Sequence, residues 1–141
     1  MNAFGEEVII DNAEQALDFA SKFSNAVIDE YTAAPVYLTN QNSGRHEWLI
    51  EFSKAPDSIE AFAEALDHKL SEINSDYAAK RKGNMALEFP IVKQVPAGTF
   101  YKWLKIKNKL GGQNKIPRLS NNRKFIEEVK EILYSSNLIK V

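Results

Sequence analysis

The chain has 141 residues, no cysteine and a formal net charge of −1, with 44% hydrophobic and 26% charged residues. These are the proportions of one domain, residues 1–141, able to bury a core. They leave no apolar run of about 18 residues to span a bilayer, no signal-peptide pattern at the N-terminus, and no thiol for a disulfide, a metal site or a nucleophile; a cytoplasmic protein is expected.

Gly5 to Ile10 reads as a first short strand. Asp11 and Glu14 have capping-box spacing, in which side chains satisfy the free N–H groups of a first turn, and the helix they open over 12–24 presents Leu17, Ala20 and Phe23 on one face. Residues 26–38 read as a strand in which Pro35 demands an edge or a bulge. After turn residues Asn40 to Gly44, Trp48, Ile50 and Phe52 alternate with Leu49 and Glu51, the period of a half-buried strand over 47–53. Ile59, Phe62, Leu66, Leu70, Ile73 and Tyr77 then form one apolar stripe, predicting a helix over 57–82. A strand over 89–96, a short helix capped by Thr99 with Phe100, Trp103 and Leu104, a loop from Asn108 to Leu119 and a last helix with Phe125, Val129, Ile132 and Leu133 inward complete the chain. The order β-α-β-β-α-β followed by helices is that of a ferredoxin-like split β-α-β fold: α+β, with a mainly antiparallel sheet, both long helices on one face, and additional C-terminal helices.

Charge is divided along the chain. Residues 1–79 carry 15 acidic and 4 basic side chains, whereas residues 80–141 carry 4 acidic and 14 basic. Such a division points to an anionic partner for the basic half, unless folding interleaves the two halves in space. The stretch Gly111-Gly112-Gln113-Asn114-Lys115-Ile116-Pro117-Arg118 is the candidate for binding it. Paired glycines let a ligand approach the backbone, Gln113 and Asn114 add amide donors, and Lys115 and Arg118 add cations suited to phosphate. The same composition also describes a solvated turn. His46 and His68 read as packing or surface residues, Trp48 and Trp103 as core, and no metal-ligand run is visible. The lysines at 102, 105, 107 and 109 would serve a nucleic acid, but they lack the exposed aromatic interleaving of stacking platforms.

Taken together, Asn2-Ala3-Phe4-Gly5-Glu6-Glu7, His46-Glu47-Trp48-Leu49-Ile50-Glu51-Phe52, Asn74-x-x-Tyr77-x-x-x-Arg81, Gly98-Thr99-Phe100 and Gln113-Asn114-Lys115-Ile116-Pro117-Arg118 resemble the C-terminal domain of the auxin-responsive promoter family of acyl-acid-amido synthetases, adenylate-forming enzymes that include the plant jasmonate- and indoleacetate-conjugating proteins. The plant enzymes carry Tyr where Asn114 stands and Cys where Leu119 stands, which suggests a bacterial-type member. The Asn114-Lys115-Ile116-x-Arg118 run is also similar to the Gly-Lys-Ile-x-Arg signature of the wider superfamily. The resemblance implies a mobile cap that closes over an N-terminal adenylation domain missing from this chain. It implies ATP and Mg2+ in the full-length protein, with neither expected in this domain alone. Carboxylic acid and amino acid would be the substrates, Lys115 the catalytic cation, and Gly111, Gly112, Gln113, Asn114 and Arg118 the phosphate- or nucleotide-binding residues, with Arg118 either assisting Lys115 or holding the loop. On this reading the chain is an excised fragment or a separately encoded remnant and is inactive alone. The alternative is a stand-alone ferredoxin-like module that binds an anion, a protein or, as the less favoured partner, a nucleic acid; no membrane is expected in either case.

Overall fold

The computed structural model describes residues 1–38, 43–84, 86–111 and 115–135. In chain order the elements are α1 (Ile10–Phe23), β1 (Val27–Tyr37), β2 (Gly44–Lys54), α2 (Ile59–Ile73), α3 (Ser75–Arg81), a 3-10 turn at Lys82–Asn84, β3 (Ile91–Val95), α4 (Thr99–Gly111) and α5 (Lys124–Ser135).

The predicted first strand does not form. Gly5 and Glu7 take positive φ values of 102° and 26°, which an extended strand excludes. The segment closes on itself instead, Val8 N–H donating to the Met1 carbonyl at 2.7 Å and the Met1 amino group to the Val8 carbonyl at 2.8 Å. Only Val8 of the apolar run is buried, while Ile9 and Ile10 are half exposed. α1 therefore starts at Ile10, a residue before the predicted capping box. The Ile9 N–H is taken by Asn12 Oδ1 at 3.2 Å, and Asp11 falls in the first turn, where its charge favours the helix dipole. At the other end Asn25, with φ 58°, and a bond from Ala26 N–H to the Ser21 carbonyl form a Schellman turn into β1. Phe23, predicted inward, is exposed there and stacks on Phe19.

Among the described residues the sheet has three strands in the order β1-β2-β3. β1 and β2 are antiparallel, with Ala33 opposite Trp48, and β2 and β3 are parallel from Glu47–Ile91 to Glu51–Val95. In a split β-α-β unit a strand lies between those two. Here the N-terminal segment leaves that place, so the strands joined through α2 and α3 pair directly, and the sheet is mixed with its longer ladder antiparallel. Pro35 lies in the edge strand β1, and its carbonyl accepts from Arg123 at 3.2 Å.

β2 decides what each face meets. Its even residues, Trp48, Ile50 and Phe52, enter a core with Leu17, Ala20, Phe62, Leu66 and Leu70, so both long helices lie on one face as expected. Each such buried Phe or Leu contributes about 1.5–3 kcal/mol. The odd residues Glu47, Leu49 and Glu51 are buried too, contrary to the half-buried reading: Leu49 joins Phe100, Trp103, Ile126, Val129 and Leu133 of α4 and α5 on the other face. The sheet thus lies between two helical layers.

The apolar stripe that predicts one helix spans two. Asn74 leaves helical geometry at φ −135° and its side chain accepts the Tyr77 N–H at 2.9 Å, making it the N-cap of α3. Ser58, between the predicted Asp57 and Glu60, is the N-cap of α2 and accepts from the Ala61 N–H. The corner after the break is fastened by polar groups. Asp67 accepts from the Tyr77 hydroxyl at 2.6 Å and, through both oxygens, from Arg81 at 2.7 and 2.8 Å. Asn74 also donates to the Glu7 carbonyl and to Asn12. Nearby, Glu6 and His46 meet at 2.7 Å with almost no exposure. Burial raises the Glu6 carboxyl, but His46 and the Phe4 N–H outweigh that and hold it at about 2.

Candidate functional site

The segment holding Lys115 lies between two anchors. The first is α4, which the structure extends to Gly111, through residues the sequence places in a loop. Its N-terminus is capped from the sheet: the Glu51 carboxylate accepts from Gly98 N–H at 3.2 Å and from Phe100 N–H at 3.1 Å. A carboxylate at this end satisfies free donors and interacts favourably with the positive end of the helix dipole. Thr99, the predicted cap, instead donates its hydroxyl to the Pro96 carbonyl. α4 is also tied to α5, where Glu128 accepts from Trp103 Nε1 at 3.2 Å and from Lys107 at 2.8 Å. α5 in turn is tied to β2 by Glu47, which is 1% exposed and meets Arg123 at 2.7 Å, Lys130 at 3.0 Å and Lys93 at 3.5 Å. Burial raises the Glu47 carboxyl; the hydrogen bonds from Arg123 and Lys130 more than reverse this and hold it below the ordinary carboxylate range.

The second anchor is the edge of β1. Ala33 N–H donates to the Arg118 carbonyl at 2.8 Å, and Ser120 N–H donates to the Ala33 carbonyl at 3.1 Å, so the segment pairs with the edge strand in parallel. The Thr32 hydroxyl donates to the Pro117 carbonyl at 2.6 Å. Ile116 packs with the α4–α5 core and Leu119 with the α1–α2 core, so the chain crosses from one layer to the other around the sheet edge. Arg118 sits at that crossing. Its Nε donates to Glu30 of β1 and its Nη1 to Glu14 of α1, both at 2.9 Å, and its guanidinium lies 5.3 Å from the centre of the Tyr31 ring. The hydrogen bond to Glu30 is the largest influence holding this guanidinium above its usual value.

Each predicted site residue can now be placed. Lys115 is exposed and, with Arg118, Glu30, Leu104 and Ile116, lines one shallow depression. Gly111 is the last residue of α4 and is exposed. Gly112, Gln113 and Asn114 fall outside the described residues. His46 is buried and His68 is on the surface, as read from the sequence. Sequence reasoning missed Glu14, Glu30 and Thr32; the two carboxylates lie 104 and 88 positions from Arg118, and no spacing signals a pairing at that range.

The acidic and basic halves of the chain interleave. Arg118 meets Glu14 and Glu30, Arg81 meets Asp67, and three cations meet Glu47. Much of the charge division is thereby spent inside the domain. A separate groove of about 570 Å³ lies along α4 and α5, lined by Ile106, Ile132 and Tyr134 among others. It shares no lining residue with the Lys115 depression. Among the described residues no helix is long and apolar enough to cross a membrane.

Comparison with known proteins bears on the whole arrangement. The model of the GH3 family C-terminal domain matches residues 11–124. Among solved structures, a GH3.15 acyl acid amido synthetase is similar with a TM-score of 0.73 and 15% identity, over 93% of this chain and 25% of that one. The structure described as AtGH3.15 acyl acid amido synthetase in complex with 2,4-DB is similar with a TM-score of 0.73 and 16% identity, over 99% of this chain and 26% of that one. At such identities the likeness establishes a shared fold. No curated protein matches the chain. The chain spans about a quarter of the length of the solved structures it matches.

Proposed function

The chain belongs to the GH3 family, as its C-terminal domain, and from that premise we propose that it is the mobile cap of a larger ATP-using acyl-acid amido synthetase. The observation that carries the reading is an exposed lysine, Lys115, on a segment that follows α4 and is fastened to the sheet edge just after it. In the proposed reaction a substrate carboxylate attacks the α-phosphate of ATP, giving an acyl-adenylate and pyrophosphate. The amine of an amino acid then attacks the acyl carbon and releases AMP. The first step brings two anions together and develops charge at phosphorus, so a cation fixed in place favours the transition state more than the ground state. Lys115 supplies that cation, and Gly111, Gly112, Gln113 and Asn114 supply backbone and amide donors to phosphate. Closure of the cap excludes water that would hydrolyse the adenylate. We assign Mg2+ to the nucleotide and the larger domain.

The test is ATP–pyrophosphate exchange in the protein that joins this domain to its adenylating partner, with this chain alone as control. Lys115→Ala is expected to slow exchange by roughly 10²–10³-fold, the effect of losing one preorganised charge-stabilising donor, and the chain alone to support none. Exchange left near the wild-type rate in Lys115→Ala sinks the assignment of Lys115. Robust exchange by the chain alone sinks the cap reading.

A further inference from the structure

Three residues outside the family-like runs converge on the segment that carries Lys115. Thr32 and Glu30 stand two apart on β1, and Glu14 comes from α1 in the layer below. Their placement depends on an irregularity in β1. Ile28 pairs with Phe52 and Glu30 with Glu51, so Asp29 is an extra residue, and the strand bulges there. Ile28 and Tyr31 consequently face the same core although they are three apart. A regular strand would put them on opposite faces. The bulge also leaves Glu30 opposite Glu51, on the face toward α4 and the depression beside Lys115. A slip of one residue would turn Glu30 and Thr32 away from the segment together.

The contacts define position and not merely attachment. Three points, the Pro117 carbonyl on Thr32, the Arg118 carbonyl on Ala33 and the Arg118 guanidinium between Glu30 and Glu14, lie within three residues of Lys115. An arginine fork held by two carboxylates from different layers fixes direction as well as distance, which a lysine in its place cannot do. We propose that Thr32, Glu30 and Glu14 are positioning residues, acting through Pro117 and Arg118 to set where the Lys115 ammonium stands when the cap closes. This rests on the role given to Lys115 in the proposed function. It assigns Arg118 a task within the domain, through its Nε and Nη1 donors, and leaves the phosphate to Lys115.

Two measurements test it. In this chain, amide hydrogen exchange at Ala33 and Ser120 reports the edge pairing directly, with no dependence on catalysis. Thr32→Val, Glu30→Gln and Arg118→Lys are each expected to speed exchange at Ser120. In the joined protein the same variants are expected to slow ATP–pyrophosphate exchange by roughly tenfold to a hundredfold, the range for displacing a catalytic group by about 1 Å, through kcat more than through KM for ATP. Thr32→Ser, which keeps the hydroxyl, is expected to restore most of the rate. The deciding arm repeats Thr32→Val and Glu30→Gln in a Lys115→Ala background, where they should slow the residual reaction little further. Unchanged amide exchange in all three variants, or slowing that persists undiminished without Lys115, overturns the proposal. A Lys115→Ala protein with wild-type pyrophosphate exchange would instead overturn the reading on which it rests, so the two failures are told apart.

Discussion

The corner around Glu6, His46, Asn74 and Arg81 and the segment around Lys115 both carry runs by which the sequence resembles its family, yet they are built in opposite ways. At the corner nearly every polar group is answered inside the domain: Glu6 by His46 and two backbone N–H groups, Asp67 by Tyr77 and Arg81, Asn74 by the turn it caps. At the segment the neighbours of Lys115 are tied down, while its own side chain stands exposed. Recognisable wording in a sequence therefore marks two kinds of constraint. A buried polar network fixes the packing of the groups that answer one another, whereas a side chain on the surface adds little to stability.

That contrast can be broken by substitution. The largest loss should come from Glu6→Ala, which strands His46 in the interior. The substitution also leaves the Ala3 and Phe4 N–H groups without their acceptor, at about 1–3 kcal/mol for each buried group left unsatisfied, read as a lower denaturant midpoint, and a loss below about 1 kcal/mol would show that the pair is not a fastener. Acid should produce a slightly smaller effect. The Glu6 carboxyl lies at about 2 in the folded chain against an ordinary 4.5. Its stabilisation is therefore complete above pH 4.5 and lost as the pH falls from there toward 2. At about 1.4 kcal/mol per unit this amounts to roughly 3 kcal/mol. Unfolding measured down through that window in wild type and in Glu6→Gln should show the wild type losing more, and parallel losses would remove Glu6 from the account. The smallest change should come from Lys115→Ala, within about 0.5 kcal/mol of wild type as for other surface substitutions. A large destabilisation there would place Lys115 among the fasteners and erase the distinction.

Periodicity made some parts of the molecule legible and left others hidden for identifiable reasons. The stripe from Ile59 to Tyr77 and the alternation Trp48, Ile50, Phe52 record burial on the first face, and Phe62, Leu66, Leu70 and Trp48 are indeed fully buried. The break at Asn74 leaves no gap in the stripe, because a capped restart keeps Tyr77 on the same side; only the identity of Asn74 hints at it. The second buried face of β2 was hidden because Glu47 and Glu51 are charged. Burial of those carboxylates is legible only once the cations of α5 and the N-terminus of α4 are known to meet them. The apolar run before Ile10 looks like a strand because propensity ignores the turn that Glu6 imposes by accepting from Ala3 and Phe4. At the candidate site Lys115 and Arg118 were legible as a pair of cations. The contacts of Arg118 were not, since they depend on a bulge at Asp29 and on carboxylates far away in sequence.

The pairing of residues 118–120 with β1 has a consequence for how the domain meets other proteins. An uncovered edge strand offers rows of backbone donors and acceptors to any extended chain and is a usual starting point for aggregation. Along β1 the Ala33 N–H and carbonyl are taken by Arg118 and Ser120, Pro35 has no N–H to offer, and its carbonyl is taken by Arg123. Peeling the Lys115 segment away would reopen that edge in the middle of the strand. The segment thus covers the edge at Ala33, and any large movement of Lys115 should carry the whole sandwich with it.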